Sequence, residues 1–158
     1  MKKIIGKLKP FVKSNIFNKA AALTLIVMLS GCGEQKPDVV TEAYRNDMTQ
    51  FCNTVNSLSQ DINSIDPNAE NASAIFLNDL DQMKTAFQNM SQLTVPEEYS
   101  EAGTLAYEAA AYMNDAVSLY HDAYGENGYD ENFATQAQSQ YQNAMDRISS
   151  IGQYFKEH

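Results

Sequence analysis

The residues able to do chemistry are few, and most of them lack the company that chemistry requires. The chain has two cysteines and two histidines among 158 residues. A di-iron site in a helical bundle needs Glu-x-x-His on two helices together with further inward glutamates. His121 follows Ser118 at that spacing, and His158 is the last residue. Zinc sites need several Cys or His ligands, and covalent haem needs Cys-x-x-Cys-His. Neither pattern occurs, and the methionines Met48, Met83, Met90, Met113 and Met145 read as core filler. The acidic stretch from Asp122 to Asn132 has the composition of a calcium loop but not the EF-hand order, because Ala123 stands where the first acid belongs. No Walker loop, dinucleotide fingerprint or nucleophile elbow is present. The residues therefore predict no catalytic group, no metal and no cofactor.

The thiols differ in setting. Cys52 lies inside an apolar periodic segment, which predicts a semi-buried free thiol, with an intermolecular disulfide as the alternative. Cys32 closes a different kind of segment. Lys2, Lys3, Lys7, Lys9, Lys13 and Lys19 precede the apolar run from Ala20 to Leu29, with no acid among them. That charged-then-apolar order is the order of a secretory signal. Ten apolar residues in a helix cover roughly 15 Å, about half the hydrocarbon thickness, which is short for a membrane span.

Leu29-Ser30-Gly31-Cys32 follows, and it resembles the lipobox of bacterial lipoprotein precursors at every position. The resemblance covers residues 1–32. It implies that the Cys32 thiol receives a diacylglycerol group, that the chain is cut before Cys32, and that the new amino terminus is open to acylation. Two acyl chains hold a protein on a membrane far better than one. The expected location is the extracytoplasmic face of the cell membrane, with lipid as the first partner. Val95-Pro96-Glu97-Glu98-Tyr99, leading into an alanine-rich segment, resembles small helical lipoproteins of low-GC Gram-positive bacteria. That resemblance transfers no functional residue.

The expected organisation is a signal peptide over 1–31, a lipidated cysteine and linker over 32–37, and one domain over 38–158. From Cys32 onward the chain has 127 residues, enough for a real core. It carries five basic residues against twenty acidic ones, a formal charge of −15. Such a surface excludes nucleic acid as a partner, because nothing neutralises phosphates. It also disfavours anionic headgroups, so the domain should stand off its membrane on the linker.

Four segments have helical spacing. Tyr44, Met48, Phe51, Val55, Leu58, Ile62 and Ile65 alternate steps of four and three. Asp66-Pro67-Asn68 breaks that run. Phe76, Leu80, Met83, Phe87 and Met90 repeat the pattern. Thr94 and Glu97 then stand at capping-box spacing. Ala102, Ala106, Ala109, Met113, Ala116, Tyr120 and Ala123 form a third seam, which Gly125 and Gly128 close. Phe133, Ala137, Tyr141, Ala144, Ile148, Ile151 and Phe155 form a fourth, with Asp130 as its expected cap. Short connections make successive helices antiparallel neighbours, so the predicted fold is all-α, an up-down-up-down antiparallel four-helix bundle.

Two functional surfaces follow from that frame. Tyr107, Tyr112 and Tyr124 form a candidate partner face on the third helix, since tyrosine offers apolar area with a polar tip. Asp66, Glu70, Asp122, Glu126, Asp130 and Glu131 gather at the pole away from Cys32 and form a candidate cation-attracting surface. The first reading makes the protein a non-catalytic module that binds an unknown envelope protein. The second makes it a binder of a cationic ligand, in the manner of an immunity or sensor lipoprotein.

Overall fold

The computed structural model describes residues 39–125 and 128–157. The leader, Cys32, the linker and Glu126 lie outside the described residues. The chain folds into four helices: α1 Val39–Ser64, α2 Ala72–Ser91, α3 Ser100–Ala123 and α4 Glu131–Glu157. A 3-10 turn, Glu97–Tyr99, leads into α3. No strand occurs among the described residues. Packing runs between consecutive helices and is closest for α3 with α4.

The seams explain why these segments are helices. All seven α1 seam residues, from Tyr44 to Ile65, are buried, as are Phe76, Leu80, Met83, Phe87 and Met90 of α2. Each fully buried large side chain removed from water contributes about 1.5–3 kcal/mol. Rings interlock across the helices. Phe51 of α1 meets Phe87 of α2 edge-on at 5.1 Å, and Phe76 of α2 meets Tyr120 of α3 at 5.2 Å. The third seam is mostly alanine. Ala102, Ala109, Ala116 and Ala123 are wholly buried, and α4 answers with Ala137 and Ala144. Small side chains on both partners let the two backbones approach closely.

The connections have local causes. After α1, the Asp66 carboxylate accepts the Asn68 backbone N–H at 2.9 Å, and the Asp66 carbonyl accepts that of Ala69 at 3.0 Å. This is the side-chain-mimicked turn that Asp favours. Between α3 and α4, Gly128 takes φ +98°, and the Asp130 N–H reaches the Ala123 carbonyl at 2.9 Å. Asp130 caps α4 as expected, accepting the N–H groups of Asn132 at 2.8 Å and Phe133 at 3.3 Å.

Two sequence expectations are corrected. Thr94 and Glu97 form no capping box. The residue before the 3-10 turn is Pro96, in extended conformation, and no side chain caps the turn. A proline disfavours helical backbone in the residue before it, so Val95 is a poor first helical residue and Thr94 a poor cap. Val95 instead lies on α3 against Gly103, where an added Cβ would sit 2.9 Å from a Val95 methyl carbon. The second correction is Phe133, which is 39% exposed, while its neighbour Ala134 is buried. The α4 seam therefore opens on Ala134, and Phe133 sits about 100° round the opening turn.

Candidate functional site

The three tyrosines of the candidate partner face, Tyr107 and Tyr112 in α3 and Tyr124 at its end, do not share a side. At about 100° per residue, Tyr107, Tyr112 and Tyr124 point in three directions roughly 120° apart. Tyr107 is 72% exposed. Tyr112 lies beneath the Arg147 guanidinium of α4 at 5.7 Å, while Arg147 Nε donates to Glu108 Oε2 at 2.6 Å. Tyr124 packs against Phe76 at 5.8 Å and Tyr129 at 5.3 Å, and its hydroxyl is buried. Only Tyr107 presents its ring to solvent.

The acidic residues divide between two loops. Asp66 and Glu70 are exposed on the α1–α2 connection, and Asp122, Asp130 and Glu131 are exposed about the α3–α4 connection. The Asp66 and Asp130 carboxylates already accept backbone N–H groups. Among the described residues, no three acids, histidines or cysteines converge as metal ligands. Burial raises the Tyr129 hydroxyl pKa, and the nearby Glu131 and Asp130 carboxylates raise it further.

At the opposite end, the start of α1, the 3-10 turn and the end of α4 are joined by an aromatic cluster. Tyr99 lies 5.7 Å from Tyr44 and 4.9 Å from Phe155, and Tyr44 lies 5.8 Å from Phe155. Arg45 stacks over the Tyr99 ring at 5.4 Å, and its Nε donates to the Tyr99 hydroxyl at 2.9 Å, joined by Nη2. Thr41 Oγ1 donates to Glu98 Oε1 at 2.9 Å, and the Tyr154 hydroxyl donates to the Glu98 carbonyl at 2.7 Å. These contacts fix the point from which the chain leads back toward Cys32.

Three polar features were not singled out by sequence. Asp79 is 8% exposed on α2. Burial raises its pKa, the Asn78 amide opposes that shift, and Asp61 of α1 adds to it. The sequence signal was present, since Asp79 stands three residues after Phe76 and four before Met83. Asp81, on α2, has two partners: its carboxylate lies 3.1 Å from His121 Nε2 and 3.2 Å from Lys84 Nζ. Burial works against the Asp81 charge, but the His121 and Lys84 hydrogen bonds and charges together hold its pKa below the ordinary value. Inside the bundle, burial pushes the Tyr44 and Tyr141 hydroxyls up to about 12, with Tyr99 adding to the first and Ser59 opposing the second. Cys52 is a buried free thiol, and burial pushes its pKa up to about 11. A thiol so protonated is a poor nucleophile at neutral pH.

A concave surface lies between α1 and α2, with a volume of about 290 Å³. α1 contributes Asp47, Gln50, Phe51 and Thr54, and α2 contributes Ala86, Asn89 and Met90, with Leu93 just beyond its end. Each set repeats the spacing i, i+3, i+4, i+7, so each is one stripe of its helix. Phe51 and Met90 are buried and form the floor, while Asp47, Gln50, Thr54 and Asn89 are exposed and form the rim. A polar rim on an apolar floor is the anatomy of a binding surface for apolar side chains.

Comparison with protein-family models, with curated proteins and with solved structures finds no significant match.

Proposed function

We propose that this chain is an envelope lipoprotein, held by lipid on Cys32 at the extracytoplasmic face of the cell membrane. In this reading its helical domain is a non-catalytic module that binds another protein. Leu29-Ser30-Gly31-Cys32, set directly after a lysine-rich and then apolar segment, supports the anchor. The carrying observation for the module is the α1–α2 groove, with Phe51 and Met90 as an apolar floor. The domain runs up-down-up-down with antiparallel neighbours. Tyr44 near the start of α1 touches Phe155 near the end of α4, and Glu108 early in α3 pairs with Arg147 late in α4. Phe76 early in α2 touches Tyr120 late in α3. The groove then lies on the outside of the α1–α2 pair, accessible while Cys32 remains in the membrane.

Metabolic labelling of the host with an alkyne fatty acid tests the anchor. The wild-type chain takes up label and sediments with membranes, whereas Cys32→Ser is unlabelled and released. A labelled Cys32→Ser chain would remove the assignment. Capture from host membranes with the lipidated full chain and a short crosslinker, at low and high salt, tests the module. A discrete partner is expected in both conditions, because packed apolar contacts outlast the screening of surface charge. Capture of no protein in either condition would remove the reading.

A further inference from the structure

The groove's shape and its charge together restrict what can occupy it. Two helices that each offer an i, i+3, i+4, i+7 stripe leave between them a channel matched to the ridge of a third helix. Such grooves take amphipathic helices through apolar side chains at the same spacing. The helices bounding the channel carry Glu42, Asp47 and Asp61 as exposed acids, besides the buried Asp79 and the paired Asp81, against two cations. Both cations are already engaged, Arg45 with Tyr99 and Lys84 with Asp81. No basic side chain lines the channel, and Asp47 stands on its rim.

This field disfavours two obvious occupants. A second copy would bring another strongly acidic surface, and like charges facing each other across an interface oppose association. An anionic membrane surface is repelled in the same way. We propose that the α1–α2 groove receives one basic amphipathic helix of a partner protein. Its apolar side chains seat on Phe51 and Met90, and its lysine or arginine residues lie along the rim at Asp47, Gln50 and Asn89. The exposed amide and hydroxyl groups of Gln50, Thr54 and Asn89 accept hydrogen bonds from those cations without adding a buried charge. This rests on the reading of the domain as a protein-binding module and names the chemistry of its partner.

The test uses the full chain in nanodiscs of zwitterionic lipid. The probe is a helical peptide about four turns long, with leucines at i, i+3, i+4 and i+7, lysines elsewhere, and one photoreactive leucine. Crosslinked residues are mapped by mass spectrometry. Crosslinks confined to 47–54 and 86–93 are expected. They should fall roughly tenfold in the Gln50→Arg, Asn89→Arg double variant, which places like charge on the rim without touching the buried floor. Circular dichroism of that variant should match the parent. Crosslinks centred on Asp66, Glu70, Asp130 and Glu131, scattered over the acidic surface, joining two copies of the chain, or unchanged in the double variant would overturn the proposal, as would their absence. Host-membrane capture with the same variant separates the two failures. Capture that persists while the peptide misses the groove overturns the groove alone. Peptide crosslinks in the groove without any captured host protein overturn the module reading alone.

Discussion

The two consecutive helix pairs of this molecule are built to opposite specifications. α3 and α4 pack most closely, and each buries alanines wholly, Ala109 and Ala116 on one and Ala137 and Ala144 on the other. α1 and α2 meet through large side chains, Phe51 against Phe87, and they leave beside that contact a channel of about 290 Å³ with a buried carboxylate further along the same pair. Small residues give close approach and no free surface. Large residues hold their helices apart, and between them a concave surface becomes available. The candidate site therefore lies on the pair with the larger side chains.

If that comparison holds, added volume should be punished on one side and tolerated on the other. Ala144→Leu puts three extra heavy atoms where both backbones are close, at a position with no exposure. It should cost about 3 kcal/mol, the upper range for overpacking a filled core. Ala86→Leu adds the same atoms at the half-buried edge of the α1–α2 channel, where there is room. It should change stability by less than about 0.5 kcal/mol. Urea unfolding of the two variants decides. Equal losses would mean that the α1–α2 pair is as tightly filled as its partner and that the groove is not an adaptable surface.

The seams were legible because one rule sets them. Alternating steps of four and three place Tyr44 through Ile65 on one stripe, and burial of that stripe is what makes the segment a helix. Asp66 and Asp130 were legible because their side chains act on backbone only two or three residues away. Thr94 misled because the capping rule is blind to Pro96, which disfavours the helical start that the rule assumes. Phe133 misled because one aromatic residue fits the spacing as well as Ala134 does, and only packing against the neighbouring helix chooses. The groove was not legible at all. It depends on where Phe51 and Met90, thirty-nine positions apart, stand relative to each other. The tyrosines are a different case: helical phase alone turns Tyr107, Tyr112 and Tyr124 three ways, and the structure adds only what covers two of them, Arg147 over Tyr112 and Phe76 with Tyr129 at Tyr124.

The buried acid sharpens the comparison at a smaller scale. Because burial raises the Asp79 pKa, its protonated form is favoured in the folded state. That contribution is complete below the unfolded value and is lost as pH rises through the raised folded pKa. Above that raised value the carboxylate ionises in a poor environment. Asp79→Asn, which cannot ionise, should be more stable than the parent by about 1 kcal/mol at pH 7. That is an increase of roughly 4 °C in Tm for a domain of this size. The advantage should close as pH falls below the ordinary value of 3.8. Thermal melts across pH 3 to 7, read by circular dichroism, follow the gap. A penalty at neutral pH would mean that the Asp79 charge is held by its surroundings, and the α1–α2 pair would then be a designed polar contact and not a strained one.

Asp81 should give the opposite sign and the smallest effect. Its carboxylate is drawn below the ordinary value once His121 and Lys84 outweigh burial. A depressed carboxylate contributes stability above its unfolded pKa and loses it as pH falls through the folded value. The group is 44% exposed, and solvent screens the pair. Asp81→Asn should therefore lower Tm by only about 1 °C at pH 6, within the few tenths of a kcal/mol typical of exposed pairs. The difference should begin to close as pH falls below 3.8, vanish once pH has passed the lower folded value, and shrink in high salt. Since His121 is on α3 and Asp81 on α2, this contact links the α1–α2 pair to the α3–α4 pair. A loss several times larger would mean that the two pairs are held in register by this surface contact and not by the packing of Phe76 on Tyr120.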